Sequence, residues 1–74
     1  MRITVRLFGV HRIGRFKEEV HEVPPGSTAR TVADRLDLPT RLLGTVLIRG
    51  VHARLDDELA DGDDLTFLPI LGGG

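Results

Sequence analysis

The sequence predicts a two-layer α+β domain in which one helix packs on a mixed sheet of four to five short strands. Three observations lead there. Period-two alternation opens the chain at Ile3, Val5 and Leu7 and closes it at Leu65, Phe67 and Pro69. Between them lies one good helical period, with Ala29, Val32, Ala33 and Leu36 at i, i+3, i+4 and i+7. No second helix competes with it, so the sheet's apolar face has a single element to bury against.

The opening strand places Ile3, Val5 and Leu7 on one face and Thr4, Arg6 and Phe8 on the other. Gly9 to Gly14 reads as a turn, and Arg15 to Val23 returns as a more polar strand carrying Phe16, Val20 and Val23. Pro24-Pro25-Gly26 stops that strand, because prolines fix φ and remove ladder donors. Ser27 or Thr28 then caps a helix running from Ala29 to about Leu36, with Arg30, Asp34 and Arg35 outside and Val32 and Leu36 as its core anchors. Pro39 ends it. Val46 to Ile48 forms a short apolar strand closed by Arg49-Gly50, His52 to Leu55 a possible further one, and Asp61-Gly62-Asp63 a tight turn into the last strand. The order is ββαβ(β)β, followed by three glycines.

Composition narrows the function classes. At 74 residues there is room for one domain, and 41% hydrophobic with 28% charged residues suits a globular chain. Without cysteine there is no disulfide, no thiolate metal site and no thiol nucleophile, so sulfur chemistry must use sulfur brought by another molecule. No export signal or bilayer-length apolar run is visible, and the expectation is a cytoplasmic protein with no membrane partner. A net charge of -1 with interspersed signs leaves no footprint for nucleic acid. Arg2, Arg6, Arg12, Arg15 and Lys17 make the N-terminal hairpin loosely basic, yet no aromatic interleaves them for base stacking.

Other patterns dissolve on inspection. Gly9 to Gly14 has phosphate-loop spacing, but Arg15-Phe16 stands where Lys-Ser/Thr is required, so ATP is expected on a partner. Asp56, Asp57, Glu58, Asp61, Asp63 and Asp64 lack the alternation and terminal Glu of a calcium loop, and are read as a solvated acidic surface or a docking rim. His11, His21 and His52 stand on different elements with no ligand at i+3 or i+4, so no metal site is expected.

The ending is different. Gly72-Gly73-Gly74 maximises chain entropy and buries nothing, so it does not help a marginal fold. As a substrate arm it makes sense, because residues without Cβ thread narrow channels in conformations barred to others. Leu71 to Gly74 reach about 14 Å when extended. We therefore read 1–71 as the folded domain and 72–74 as a flexible tail able to place its carboxylate beside a nucleotide on a partner. Phe8, Leu68 and Ile70 alternate to the face opposite Leu7, Leu65 and Phe67, and with the intervening Pro69 they are the candidate partner contacts.

Taken in order, Val5-Arg6-Leu7-Phe8-Gly9, Pro25-Gly26-Ser27-Thr28, Ile48-Arg49-Gly50, Leu59 to Leu65 (LADGDDL) and Phe67 to Leu71 before the glycines resemble the small subunit of molybdopterin synthase and related sulfur carriers, including the thiamin-pathway carrier. Arg49-Gly50 stands where that family often shows Asn-Gly, and three glycines stand in place of two, which leaves Gly74 either activated itself or first trimmed; aligning Pro69 on the family's proline favours Gly74. The resemblance implies a ubiquitin-like β-grasp with its first and last strands parallel at the sheet's centre. It also implies a cycle run by partners. An ATP- and Mg-dependent adenylyltransferase of the ubiquitin-activating type forms an acyl-adenylate at Gly74, and a persulfide donor converts it to a thiocarboxylate. The tail then delivers that sulfur to the large subunit of molybdopterin synthase. The chain itself would be a non-catalytic subunit and co-substrate with no bound cofactor. Alternatives are a ubiquitin-like protein modifier, for which Lys17 is the only lysine available for self-linkage, a carrier for thiamin or tRNA thiolation, and a plain interaction module.

Overall fold

The opening alternation forms β1, Arg2–Leu7, with Ile3, Val5 and Leu7 buried and the residues between them turned outward. The computed structural model describes residues 1–70, so the expected boundary between a domain at 1–71 and a tail at 72–74 falls outside the described residues. The other strands are β2, Glu18–Glu22; β3, Leu43–Ile48; β4, Val51–Ala53; and β5, Asp64–Pro69. One helix, α1, spans Ala29–Arg35, and short 3₁₀ turns cover Gly9–Arg12 and Thr40–Leu42. The sheet order is β2-β1-β5-β3-β4, with β1 and β5 parallel at the centre and every other pair antiparallel. This is the ubiquitin-like β-grasp arrangement.

The core lies between the sheet and α1. Ile3, Val5, Leu7, Val46, Ile48, Leu65 and Phe67 come from strands, and Ala29, Val32 and Ala33 from the helix. The helix thus buries two alanines and one valine, and most of the core's bulk comes from the strands. Thr28 caps it: its hydroxyl accepts from the Thr31 amide at 3.2 Å, while the Thr28 amide donates to the Thr31 hydroxyl at 3.1 Å. Ser27, the other capping candidate, is buried and bonds the Pro24 carbonyl at 2.7 Å.

The helix ends differently from the expectation. Asp37 adopts φ 56°, the Leu38 amide donates to the Ala33 carbonyl at 2.9 Å, and the Asp37 amide to Asp34 at 3.1 Å. That pair of bonds is a Schellman motif, with Asp where glycine is usual. It turns the chain so that Leu38 enters the core at 3% exposure, while Leu36, expected as an anchor, is left half-buried at its margin. Arg15 ties the first 3₁₀ segment to this helix end by donating to the carbonyls of Leu36 at 3.0 Å and Asp37 at 3.1 Å.

The second strand also starts later than Arg15. Leu7 donates its amide to the Lys17 carbonyl, and the ladder proper begins where Arg6 faces Glu18. In that register Val20 lies opposite Thr4 on the outer face, where it is exposed, instead of joining the core. Val23 is buried and Phe16 packs half-buried against the core.

The Arg49-Gly50 turn has φ of 54° and 76°, the doubly positive φ of a type I′ hairpin. A left-handed arginine is strained, and an ion pair from its guanidinium to Asp63 offsets that cost. Asp63, at 3% exposure, is no part of a solvated acidic surface. Its carboxylate also accepts from the Ala60 amide at 2.7 Å, and its carbonyl accepts from Thr4 at 3.0 Å. Arg2 completes the stitch, donating its amide to Asp61 at 2.7 Å. Asp56, Asp57 and Asp64 are likewise engaged, with Arg30, the Arg54 amide and Arg6 respectively.

Candidate functional site

The site is the place where β5 gives out. The candidate reacting residues, Leu71, Gly72, Gly73 and Gly74, lie outside the described residues, so what the structure supplies is their root. Phe67, the strand's last fully buried side chain, pairs with Leu7 on one side and Val46 on the other. Beyond it β1 no longer pairs, and only β3 continues alongside, with Leu43 opposite Pro69. The Ile70 amide then donates to the Leu42 carbonyl at 3.2 Å.

Pro69 is tolerated in this otherwise central strand because its neighbour on the β1 side has already turned away. The turning is done at Gly9, with φ 58°, a left-handed conformation that glycine adopts without a Cβ penalty. A Cβ placed there would stand 2.8 Å from the Pro69 Cγ, so the first 3₁₀ turn rests directly on the proline ring.

The sheet's outer face changes character along its length. Its middle is polar: Arg6 bridges Glu18 at 2.8 Å and Asp64 at 3.4 Å, exposed pairs that contribute little stability. Its end is apolar. Phe8 is 39% exposed, Ile70 52%, and Leu68 and Pro69 are half-buried between them. Sequence periodicity placed Phe8, Leu68 and Ile70 on the outer face, and Pro69 joined them only as the residue between. It did not single out Val10 and Leu42, which are also exposed and sit on the two 3₁₀ turns flanking the root. An apolar residue in a turn, outside any strand alternation, was the signal available.

His11 is the one buried titratable ring at this end, 2% exposed, and its Nε2 has no hydrogen-bond partner among the described residues. Burial lowers its pKa below the usual 6.5, the nearby Arg15 cation lowers it further, and the Leu42 carbonyl opposes both. The unfolded chain therefore binds the proton more readily than the native one. Stability should be full above about pH 6.5 and decline as pH falls below it, until the lowered native pKa is passed. Urea midpoints at about pH 7.5 and 5.5 check this, and His11→Gln should flatten the slope. An unchanged slope in that variant would assign the dependence elsewhere.

Among the described residues no group of His, Asp or Glu is placed to hold a metal ion, and no helix is long and apolar enough to cross a membrane.

Comparison with solved structures finds the same fold repeatedly. SAMP1 from Haloferax volcanii superposes with a TM-score of 0.77 at 24% identity, covering 100% of both chains. A putative molybdopterin converting factor subunit 1 from Pyrococcus furiosus gives 0.76 at 22% identity, over 96% of this chain and 99% of the other. The Helicobacter pylori complex of subunits 1 and 2 of molybdopterin-converting factor contains a chain matching at 0.67 and 20% identity, covering 100% of both. At these identities the likeness establishes the fold. No curated protein matched the sequence. The model of the ThiS family matches residues 5–74, and this chain therefore belongs to the ThiS family.

Proposed function

We propose that this protein is a sulfur carrier, activated at the Gly74 carboxylate, and that it serves as the small subunit of a molybdopterin synthase. The observation that carries the reading is family membership running through residue 74, joined to a tail of three glycines that packing does not justify. The apolar end of the sheet around the tail root supports a docking role, and a subunit 1 and 2 complex among the structural neighbours supports a large-subunit partner.

The chemistry follows from the carboxylate. Ionised, it resists nucleophiles. An adenylyltransferase using ATP and Mg joins it to AMP and releases pyrophosphate, which gives the acyl carbon a good leaving group. A persulfide sulfur attacks that carbon, AMP departs, and an acyl disulfide results. A thiol then reduces the S–S bond, leaving a C-terminal thiocarboxylate and a new disulfide on the donor side. The soft sulfur is carried by the tail into the large subunit's active site, where it is consumed in building the pterin dithiolene. This chain binds and presents, and the bond-making groups belong to its partners.

The test is intact-mass spectrometry after incubation with a competent activating enzyme, Mg-ATP and a persulfide donor. The expected product has one oxygen replaced by sulfur at Gly74. A chain that yields neither adenylate nor thiocarboxylate ends the carrier reading. A second reading, a protein modifier, draws on the likeness to small archaeal modifier protein 1. It predicts lysine-linked adducts on other proteins, seen as Gly-Gly remnants after digestion.

Phe8→Asp addresses the docking surface. Because Phe8 lies outside the core, the fold should persist while affinity for the large subunit falls more than about tenfold, as for loss of an apolar anchor. Equal affinity by calorimetry would move the interface elsewhere.

A further inference from the structure

The root of the tail is held by backbone on two sides, and the holding contacts belong to two glycines. On the β3 side the ladder slips: Thr45 faces Leu68 and Leu43 faces Pro69, so Gly44 is an extra residue with no partner, a β-bulge. A Cβ at Gly44 would lie 2.5 Å from the Pro69 carbonyl oxygen, 2.8 Å from its carbonyl carbon and 3.0 Å from the Ile70 Cα. On the β1 side, Gly9 meets the Pro69 ring, with 2.8 Å from its would-be Cβ to Cγ. The Leu42 carbonyl, two residues before the bulge, takes the Ile70 amide. Bulges raise local twist and re-aim the chain beside them, and this one stands at the last ladder pair before the tail.

We propose that Gly9 and Gly44 are positioning residues that set the direction in which the tail leaves the domain, and so determine how the Gly74 carboxylate is presented to the activating enzyme. The inference rests on the sulfur-carrier reading above. Its physical content is that both glycines let neighbouring backbone press against the exit peptide, and a methyl group at either would push that peptide aside. With the domain docked, moving the exit peptide changes the point and direction from which the tail enters the activating enzyme, and misplacement of a reacting group lowers turnover steeply. The two sites differ in a way that can be tested. The Gly9 contact is with a side-chain ring, whereas the Gly44 contact is with main-chain atoms.

The experiment measures pyrophosphate release by the activating enzyme with Gly9→Ala, Gly44→Ala, Pro69→Ala and the two double variants carrying Pro69→Ala, each checked for its thermal midpoint. Folded Gly9→Ala and Gly44→Ala should each lose about tenfold or more in kcat with KM within about twofold, since the docking surface remains while the reacting group is misplaced. Adding Pro69→Ala should restore most of the kcat lost in Gly9→Ala, because the obstructing ring is gone, while the left-handed backbone penalty of Gly9→Ala persists and is read in the thermal midpoint. The same addition should not rescue Gly44→Ala. A merely structural role would instead track the thermal midpoint and show no such split between the two glycines. Should Gly44→Ala fail to fold, the Gly9 and Pro69 cycle carries the test. Wild-type kcat in folded Gly9→Ala or Gly44→Ala overturns the inference while leaving the carrier reading intact. Failure of the wild-type chain itself to be adenylated overturns that reading and the inference with it.

Discussion

A chain lacking Gly73 and Gly74 should melt at the same temperature as the full-length protein and yet gain no sulfur. Glycine has no side chain to bury, so truncation removes no apolar contact from the core between the sheet and α1. The described root, with Pro69 opposite Leu43 and the Ile70 amide on the Leu42 carbonyl, is left in place. The reacting carboxylate, however, is drawn back by two residues, about 7 Å of extended chain. That is well beyond the ångström-scale placement that a reacting group requires. The expected result is complete loss of the oxygen-for-sulfur exchange by intact mass, at unchanged affinity for the large subunit's apolar contacts. Retained thiocarboxylate formation in the shortened chain would show that the reaction does not need Gly74. A lowered melting temperature would show that these glycines take part in the fold.

Phe67→Ala should have the largest effect on stability. Phe67 is fully buried at the sheet's centre, flanked in register by Leu7 and Val46, and is the largest of the fully buried side chains. Truncating a buried phenylalanine costs about 3–5 kcal/mol, transfer and cavity together. A domain of this length commands only about 4–11 kcal/mol in total at 0.05–0.15 kcal/mol per residue. The variant should therefore be largely unfolded or melt tens of degrees lower, at roughly 4–8 °C per kcal/mol. Leu36→Ala is the useful contrast. Being half-buried beyond the helix end, it should cost less than about 2 kcal/mol, the lower bound for a fully buried leucine. Denaturant midpoints for the two variants rank the sites directly, and a larger loss at Leu36 would contradict the Schellman ending of α1.

The candidate site was legible as a list before it was legible as a place. Phe8, Leu68 and Ile70 follow from alternation alone, because a strand with one buried face must put every second residue outside. Pro69 stood out less, since its tolerance depends on β1 ending at Leu7, a matter of pairing between opposite ends of the chain. Val10, Leu42 and His11 had no periodic signal at all. They lie in 3₁₀ turns whose local sequence does not say which part of the sheet they will meet.

What the sequence by itself determined is local: which segments alternate, that one helix starts after Ser27 or Thr28, where prolines and glycines break the chain, and that three glycines follow the last strand. Those features depend on residues within a turn or two of each other, and composition expresses them directly. What only the tertiary structure decided is relational. Val20 faces outward because β2 pairs with β1 from Glu18 onward, a register set by the hairpin's two ends. Leu38 replaces Leu36 in the core because Asp37 takes a left-handed turn that the helical period does not encode. Asp63 is buried because Arg49, fourteen residues away, reaches it from a strained turn. Gly9 and Gly44 matter because backbone from three distant segments converges on Pro69, and close approach between segments is a property of packed pairs that no single stretch of sequence contains.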